Sequence, residues 1–95
     1  SKACREIMNK DSELLNSVRA AEFLGIVGYL DPSEPMVKLL YSSKNEKEAL
    51  LILNSIVLMK DYYFKYNFNI ELLKINQKVR DNKLIQERLN YLKVL

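Results

Sequence analysis

Hydrophobic residues recur at helical spacing over most of this sequence. Leu14, Val18, Ala21 and Gly25 follow one another at intervals of three or four, which places them on one face of a helix over residues 12–30. We expect Phe23 to widen that apolar stripe. A shorter amphipathic segment at residues 2–10 predicts a separate helix ahead of it.

Strong helix breakers are confined to one short stretch of the chain. Both glycines and both prolines, at Gly25, Gly28, Pro32 and Pro35, fall within residues 25–35. The residue before a proline is pushed out of the helical region, so the first long helix should end near Pro32. Pro35 suits the first position of the next helix, which we expect to end near residue 43. Ala21, Gly25 and Gly28 would allow another helix to approach closely.

The segment at residues 46–64 is the most apolar in the chain. Asn45 and Glu48 before it match a capping box, which predicts a helix start. A helix that is hydrophobic all round is buried, so we expect this one to be central. Asn54 and Ser55 interrupt its apolar run, and buried polar groups have hydrogen-bond partners, such as a loop or a backbone carbonyl.

The last third of the chain changes character twice. Residues 66–75 have a mixed pattern that favours a loop or an extended link. Helical periodicity returns from Asp81 or Asn82, either of which suits an N-cap, and this last helix should pack on the central one. The pattern therefore predicts an all-α fold. Residues 1–95 would form one small bundle of about five helices.

Composition limits the chemistry of this chain. Its 95 residues include no His and a single Cys, and its net charge is +3. Without His the chain cannot build a Ser-His-Asp or Cys-His centre, and zinc would have almost only carboxylate ligands. No pair of carboxylates lies in an apolar setting of the kind that acid–base catalysis needs. We expect no catalytic residue, no metal site and no cofactor.

Part of the chain resembles a HEAT-type helical hairpin. The matching segments are residues 18–25 (VRAAEFLG), 31–32 (DP), 37–40 (VKLL) and 48–53 (EALLIL). Their order is a helix, a proline-containing turn, a second helix and the start of the next unit. The resemblance implies a HEAT-like pair of helical hairpins within the bundle.

A second resemblance extends over most of the chain from Ser17 onward. Residues 19–24 (RAAEFL), 45–55 (NEKEALLILNS) and 85–92 (IQERLNYL) are similar to the helical region that follows the catalytic domain in some bacterial sulfatases. The family's catalytic C/S-x-P-x-R signature is absent, since Cys4 is followed by Arg5, Glu6 and Ile7. The resemblance implies an extracytoplasmic, non-catalytic accessory domain, excised from a longer protein, whose partner is the sulfatase catalytic domain.

Aromatic residues cluster near the end of the predicted central helix. The candidate interaction surface consists of Tyr62, Tyr63, Tyr66 and Phe68. Aromatic side chains at a helix end more often pack on the core, but those left exposed would suit contact with a partner protein. We therefore place contact with a parent catalytic domain, or with another protein, at this cluster.

Two other functions remain open from the residues alone. The chain also fits a free-standing HEAT-like module for protein–protein interaction. Residues 20–26 (AAEFLGI) suggest the first helix and turn of a DNA-binding helix-turn-helix, but Asp31 and Glu34 would then face the phosphates. We accordingly expect no nucleic-acid partner. The longest apolar run falls short of the ~20 residues of a membrane span, so we expect no membrane partner.

Overall fold

The protein is built from α-helices, as seen in a computed structural model. The structure describes residues 2–62 and 66–94, with side chains for residues 13–61 and 66–94. These residues contain no strand and five α-helices, which are α1 (Lys2–Ile26), α2 (Ser33–Tyr41), α3 (Glu46–Tyr62), α4 (Gln77–Arg80) and α5 (Lys83–Tyr91). A short 3₁₀ helix, Leu72–Lys74, precedes α4. The predicted all-α class with about five helices is confirmed.

Helices α1 and α3 lie side by side and run in the same direction. The Ser55 hydroxyl of α3 donates a hydrogen bond to the Glu22 carboxylate of α1. One turn further along both helices, Gly25 lies against the side chain of Met59. Contacts that advance together along two helices require a parallel arrangement. Pro32, which precedes α2, also lies against Gly25, so α2 begins beside the end of α1, and it packs against both α1 and α3.

Helix α5 continues this layer on the other side of α3. Arg88 Nε donates to Asn54 Oδ1 at 2.8 Å. Further along, the Tyr91 hydroxyl donates to the Asp61 carboxylate at 2.8 Å. In both helices the second contact lies further toward the C-terminus than the first, so α5 runs in the same general direction as α3. As predicted, the last helix packs on the central one.

Helix α3 forms the centre of the hydrophobic core. It packs against α1, α2 and α5, so its side chains contact every other long helix. The side chains of α3 that are completely buried are those of Ala49, Ile52, Leu53, Ile56 and Met59. Facing residues from the other helices include Val18, Met36, Leu40, Ile85 and Leu89. The prediction of a buried central helix is thereby confirmed.

The two polar residues of α3 have partners, as predicted, but only Ser55 is buried, whereas Asn54 is exposed. Both partners are side chains rather than loop or backbone carbonyls. Ser55 is bound to Glu22 of α1, and Asn54 is bound to Arg88 of α5. The two polar positions thus connect the central helix to each of its neighbours in the layer.

Asparagine side chains cap two helices at the expected places. Asn45 Oδ1 accepts a hydrogen bond from the Glu48 backbone N–H at 2.9 Å, which is half of the predicted capping box. Asn82 Oδ1 accepts from the backbone N–H groups of Leu84 (2.8 Å) and Ile85 (3.2 Å) at the start of α5. Of the two caps considered for the last helix, Asn82 is the one used.

The predicted division of the N-terminal region into two helices is wrong. Helix α1 continues through residues 10–12 without a break, because no Gly or Pro interrupts it there and polar residues are tolerated in a helix. It then ends at Ile26, before the expected boundary at Pro32. Phe23 does not widen the buried stripe, since it lies on the far side of α1 from Val18 and is 64% exposed.

The remaining differences concern short elements. Helix α2 begins at Ser33, so Pro35 is its third residue, still within the first turn where backbone N–H groups have no helical partner. Helix α4 was not expected, because four residues are too few to show a period. Its N-cap is Asn76, whose side chain accepts from the Lys78 backbone N–H at 3.0 Å. The extended link predicted before it is confirmed over residues 67–71.

Candidate interaction surface

Exposed apolar side chains are concentrated at the end of α1. Nine large hydrophobic residues are exposed in the described part of the chain, and five of them fall within residues 23–30. These five, named the α1-end surface, are Phe23, Ile26, Val27, Tyr29 and Leu30. Their exposed fractions run from 42% for Ile26 to 76% for Tyr29. Contiguous apolar exposure of this kind marks interaction sites on globular proteins.

A glycine turn at the end of α1 sets the shape of this surface. Gly28 has a φ of 74°, in the left-handed region that glycine adopts most readily. The Tyr29 N–H donates to the Leu24 carbonyl (3.0 Å) and the Gly28 N–H donates to the Gly25 carbonyl (3.2 Å). This pair of bonds is a Schellman cap, which satisfies the terminal carbonyls without covering the apolar side chains. The surface is therefore held by a fixed backbone.

Opposite charges flank the α1-end surface. Arg19 is exposed one helical turn before Phe23. Asp31 follows Leu30, and its Oδ1 accepts hydrogen bonds from the Ser33 hydroxyl (2.7 Å) and the Ser33 backbone N–H (2.9 Å). These two bonds lower the pKa of Asp31, so its carboxylate stays ionised at neutral pH. The apolar area thus has a cation on one edge and a fixed anion on the other.

The aromatic residues singled out from the sequence are only partly described. Tyr63 and the side chain of Tyr62 lie outside the described residues. Tyr66 is half-buried, and its hydroxyl donates to the Gly25 carbonyl oxygen at 2.6 Å. Phe68 is half-buried and packs against the core. The structure therefore places Tyr66 next to Gly25, beside the α1-end surface. The rings of Tyr66 and Phe68 both pack partly against the core.

An apolar groove lies nearer the start of α1. It has a volume of about 450 Å³ and lies between α1 and the first half of α3, with Leu14, Leu15, Leu50 and Leu51 among its lining residues. Leu15 and Ile26 are eleven residues apart, which is about three helical turns, so they share one side of α1. Arg19 and Glu22 stand between them on that side, so charged side chains separate the groove from the α1-end surface.

Metal sites and membrane spans are absent from the part of the chain that the structure describes. Among them, no three His, Cys, Asp or Glu side chains lie close enough together to hold a metal ion. No described helix combines the length and the apolar character that crossing a bilayer requires.

Comparison with known proteins gives no relative for this chain. No family model, no curated protein and no solved structure matches it.

The α1-end surface was not found from the sequence, although its signal is present there. Phe23, Ile26, Val27 and Leu30 recur at intervals of three or four, as the buried stripe does. Phe23 and Val27 fall on the side of the helix opposite the buried positions. A second apolar face on a helix that already has a buried one indicates a second contact.

Proposed function

We propose that this chain is a non-catalytic helical domain that acts by packing on another protein domain through the α1-end surface. The observation that carries the proposal is the exposure of five large apolar side chains around one rigid turn. Burying apolar surface contributes roughly 25 cal/mol per Å², so leaving these side chains in water forgoes a large favourable term. A partner domain that covers them would recover it.

The partner that we propose is the catalytic domain of a sulfatase to which this domain is appended. Support for this choice comes from the similarity of residues 19–24, 45–55 and 85–92 to the helical region that follows such domains. The first of those segments includes Phe23 and leads directly into the α1-end surface. A free-standing HEAT-like interaction module is the second candidate, because the same apolar exposure would serve a partner on a separate chain.

The coding sequence upstream of Ser1 separates the two candidates. An open reading frame that continues in frame from a C/S-x-P-x-R motif is the expected result and identifies the partner. A start codon immediately before Ser1 would contradict the sulfatase proposal and leave the free-standing module.

Binding to the partner then tests the surface itself. The catalytic domain and this domain are expressed separately, and their dissociation constant is measured by calorimetry. A double substitution, Phe23→Ser with Val27→Ser, should weaken binding by at least about tenfold, since central apolar contacts dominate interfaces. The matched control is Leu73→Ser, which changes a side chain that is 84% exposed outside the α1-end surface. Equal affinities for the double variant and the control would refute the proposed docking surface.

A further inference from the structure

The layer formed by α1, α3 and α5 has an outer side, which α3 turns away from the core. Ser55 of α3 binds α1 and Asn54 binds α5, so these two positions mark the directions of the neighbouring helices. At 100° per residue, Leu51 and Leu58 fall between those two directions, on the side of α3 opposite the buried Ile56. They therefore face outward from the layer.

Both neighbouring helices bring an apolar stripe to the same side. On α1, Leu15 lines a groove together with Leu51, and Ile26 shares its side of the helix. On α5, Leu84 and Tyr91 are two turns apart, and the Tyr91 hydroxyl reaches across to α3. Four of these residues are exposed, from 42% for Ile26 to 56% for Tyr91, as is typical of interaction sites. The six apolar residues, named the layer face, are Leu15, Ile26, Leu51, Leu58, Leu84 and Tyr91.

The layer face repeats itself when the direction of its helices is reversed. Its apolar residues stand in pairs about the middle of each helical stripe, which is at residues 20–21 in α1, 54–55 in α3 and 87–88 in α5. These midpoints lie at about one level, because the contact of Ser55 with α1 and that of Asn54 with α5 join the stripes there. A twofold axis across the layer at this level would place each apolar residue against its counterpart in a second copy.

The charges on this side follow the same reciprocal arrangement. On α1, Arg19 and Glu22 flank the midpoint, so the twofold axis brings Arg19 of each copy to Glu22 of the other. On α3, Lys47 and Asp61 stand at opposite ends of the stripe and meet in the same way. Each of these attractive approaches occurs twice, and together they outnumber the approach of Arg88 to its own copy near the axis. Complementary charges of this kind fix the orientation of two partners.

The area of this side suits a dimer. Helix α3 has 17 residues, which gives a length of about 25 Å. Three helices packed 8–10 Å apart span about 28 Å. The resulting side of roughly 700 Å² is close to the ~800 Å² that each partner buries in an interface of standard size. A second copy of the chain can therefore cover it in a single contact.

We propose that the layer face binds a second copy of this chain, face to face, with α1, α3 and α5 of the two copies antiparallel across a twofold axis. Ile26 is the residue that the layer face shares with the α1-end surface, so Phe23 and Val27 stay available to a different partner. The proposal does not depend on the proposed function.

The test is sedimentation equilibrium of the 95-residue chain at concentrations up to about 1 mM, which populate even a weak dimer. We expect a reversible dimer with twice the 11.1 kDa mass of one chain. L58E places a carboxylate in the middle of the layer face and should weaken dimerisation by about tenfold or more. The matched control is L73E, at an exposed position outside the layer face, and it should change the dissociation constant by less than about twofold.

Charge reversal tests the antiparallel register. R19E alone and E22R alone each bring like charges together twice, and each should weaken dimerisation by about threefold or more. An equimolar mixture of the two variants restores opposite charges, so the mixed dimer should be tighter than the dimer of either variant. Far-ultraviolet circular dichroism establishes that each variant is folded. If E22R, which loses the bond to Ser55, is not folded, L58E and R19E supply the answer.

Three results would overturn the proposal. The first is a monomer at every concentration. The second is a dimer that L58E leaves unchanged and that the double substitution F23S and V27S dissociates, which would place the second copy on the α1-end surface. The third is a mixture of R19E and E22R that associates no more tightly than the separate variants, which would reject the antiparallel arrangement.

Discussion

Gly25 lies where three parts of the chain meet. The side chain of Met59 reaches it from α3, the Pro32 ring covers it from the start of α2, and the Tyr66 hydroxyl binds its carbonyl. A Cβ atom added at Gly25 would lie 2.7 Å from Pro32 Cγ and 3.2 Å from Pro32 Cδ. The proline ring is stiff, so this contact is not relieved by a rotamer change.

Gly25→Ala should therefore destabilise the protein. The alanine gains about 1 kcal/mol of helix propensity over glycine, but overpacking of this kind costs about 1–3 kcal/mol. We expect a net loss of about 1 kcal/mol in the free energy of unfolding, measured with urea. An increase in the free energy of unfolding would mean that Pro32 can move away from α1 without loss of stability.

The contact between Glu22 and Ser55 is a polar link between α1 and α3. Ser55 is 4% exposed, so Ser55→Ala leaves a half-buried carboxylate without its donor. We expect Ser55→Ala to lower the free energy of unfolding by about 1.5–3 kcal/mol, as for other hydrogen bonds to charged groups. A double-mutant cycle with Glu22→Gln should give a coupling energy above about 0.5 kcal/mol. Additive effects would show that the two side chains do not interact.

Among the helices, regular stretches were predictable from the sequence and local exceptions were not. The caps at Asn45 and Asn82 were predictable because the capping side chain acts on backbone only two or three residues away. The end of α1 was not predictable, because whether the helix ends before Gly28 or continues toward Pro32 depends on what packs against Gly25. The exposure of Phe23 was not predictable, because an apolar helix face has the same spacing in the sequence whether it packs on the core or on a partner.

The cap of α5 gives a test at the level of one helix. Asn82→Ala removes the acceptor for two backbone N–H groups and should cost about 1 kcal/mol in the free energy of unfolding. The matched control is Asn90→Ala, an exposed position within the same helix, where the change should be neutral or slightly stabilising. Equal effects at the two positions would argue against a capping role.

The turn before α2 should respond to pH through Asp31. The hydrogen bonds from Ser33 lower the pKa of Asp31 in the folded chain, so the charged form favours folding. That contribution is present above the pKa of the unfolded chain and is lost as the pH falls through the folded value. Wild type should therefore exceed Asp31→Ala in stability at pH 6, and the gap should narrow in acid. A gap that widens in acid would contradict this assignment.

At the scale of the whole molecule, we expect α3 to make folding cooperative. Its buried side chains contact every other long helix, so the hydrophobic core runs through it. Leu53→Ala should cost about 2–5 kcal/mol and should lower the stability of all helices together. Leu73→Ala, the same substitution at an 84% exposed residue, should cost less than about 0.5 kcal/mol. Separate unfolding transitions for α1 and α5 in the Leu53 variant would contradict a single core.

The parallel layer also gives the molecule an electrical polarity. Peptide dipoles in α1, α3 and α5 point the same way, so partial negative charge gathers where these three helices end. Lys60 and Arg88 stand in the last turns of α3 and α5 and offset it there, whereas the last turn of α1 has no basic residue. A lysine or arginine of a partner protein that covers the end of α1 would be stabilised by about 0.3–1 kcal/mol in this field. The same field would disfavour a partner that brings a carboxylate to the turn at Gly28.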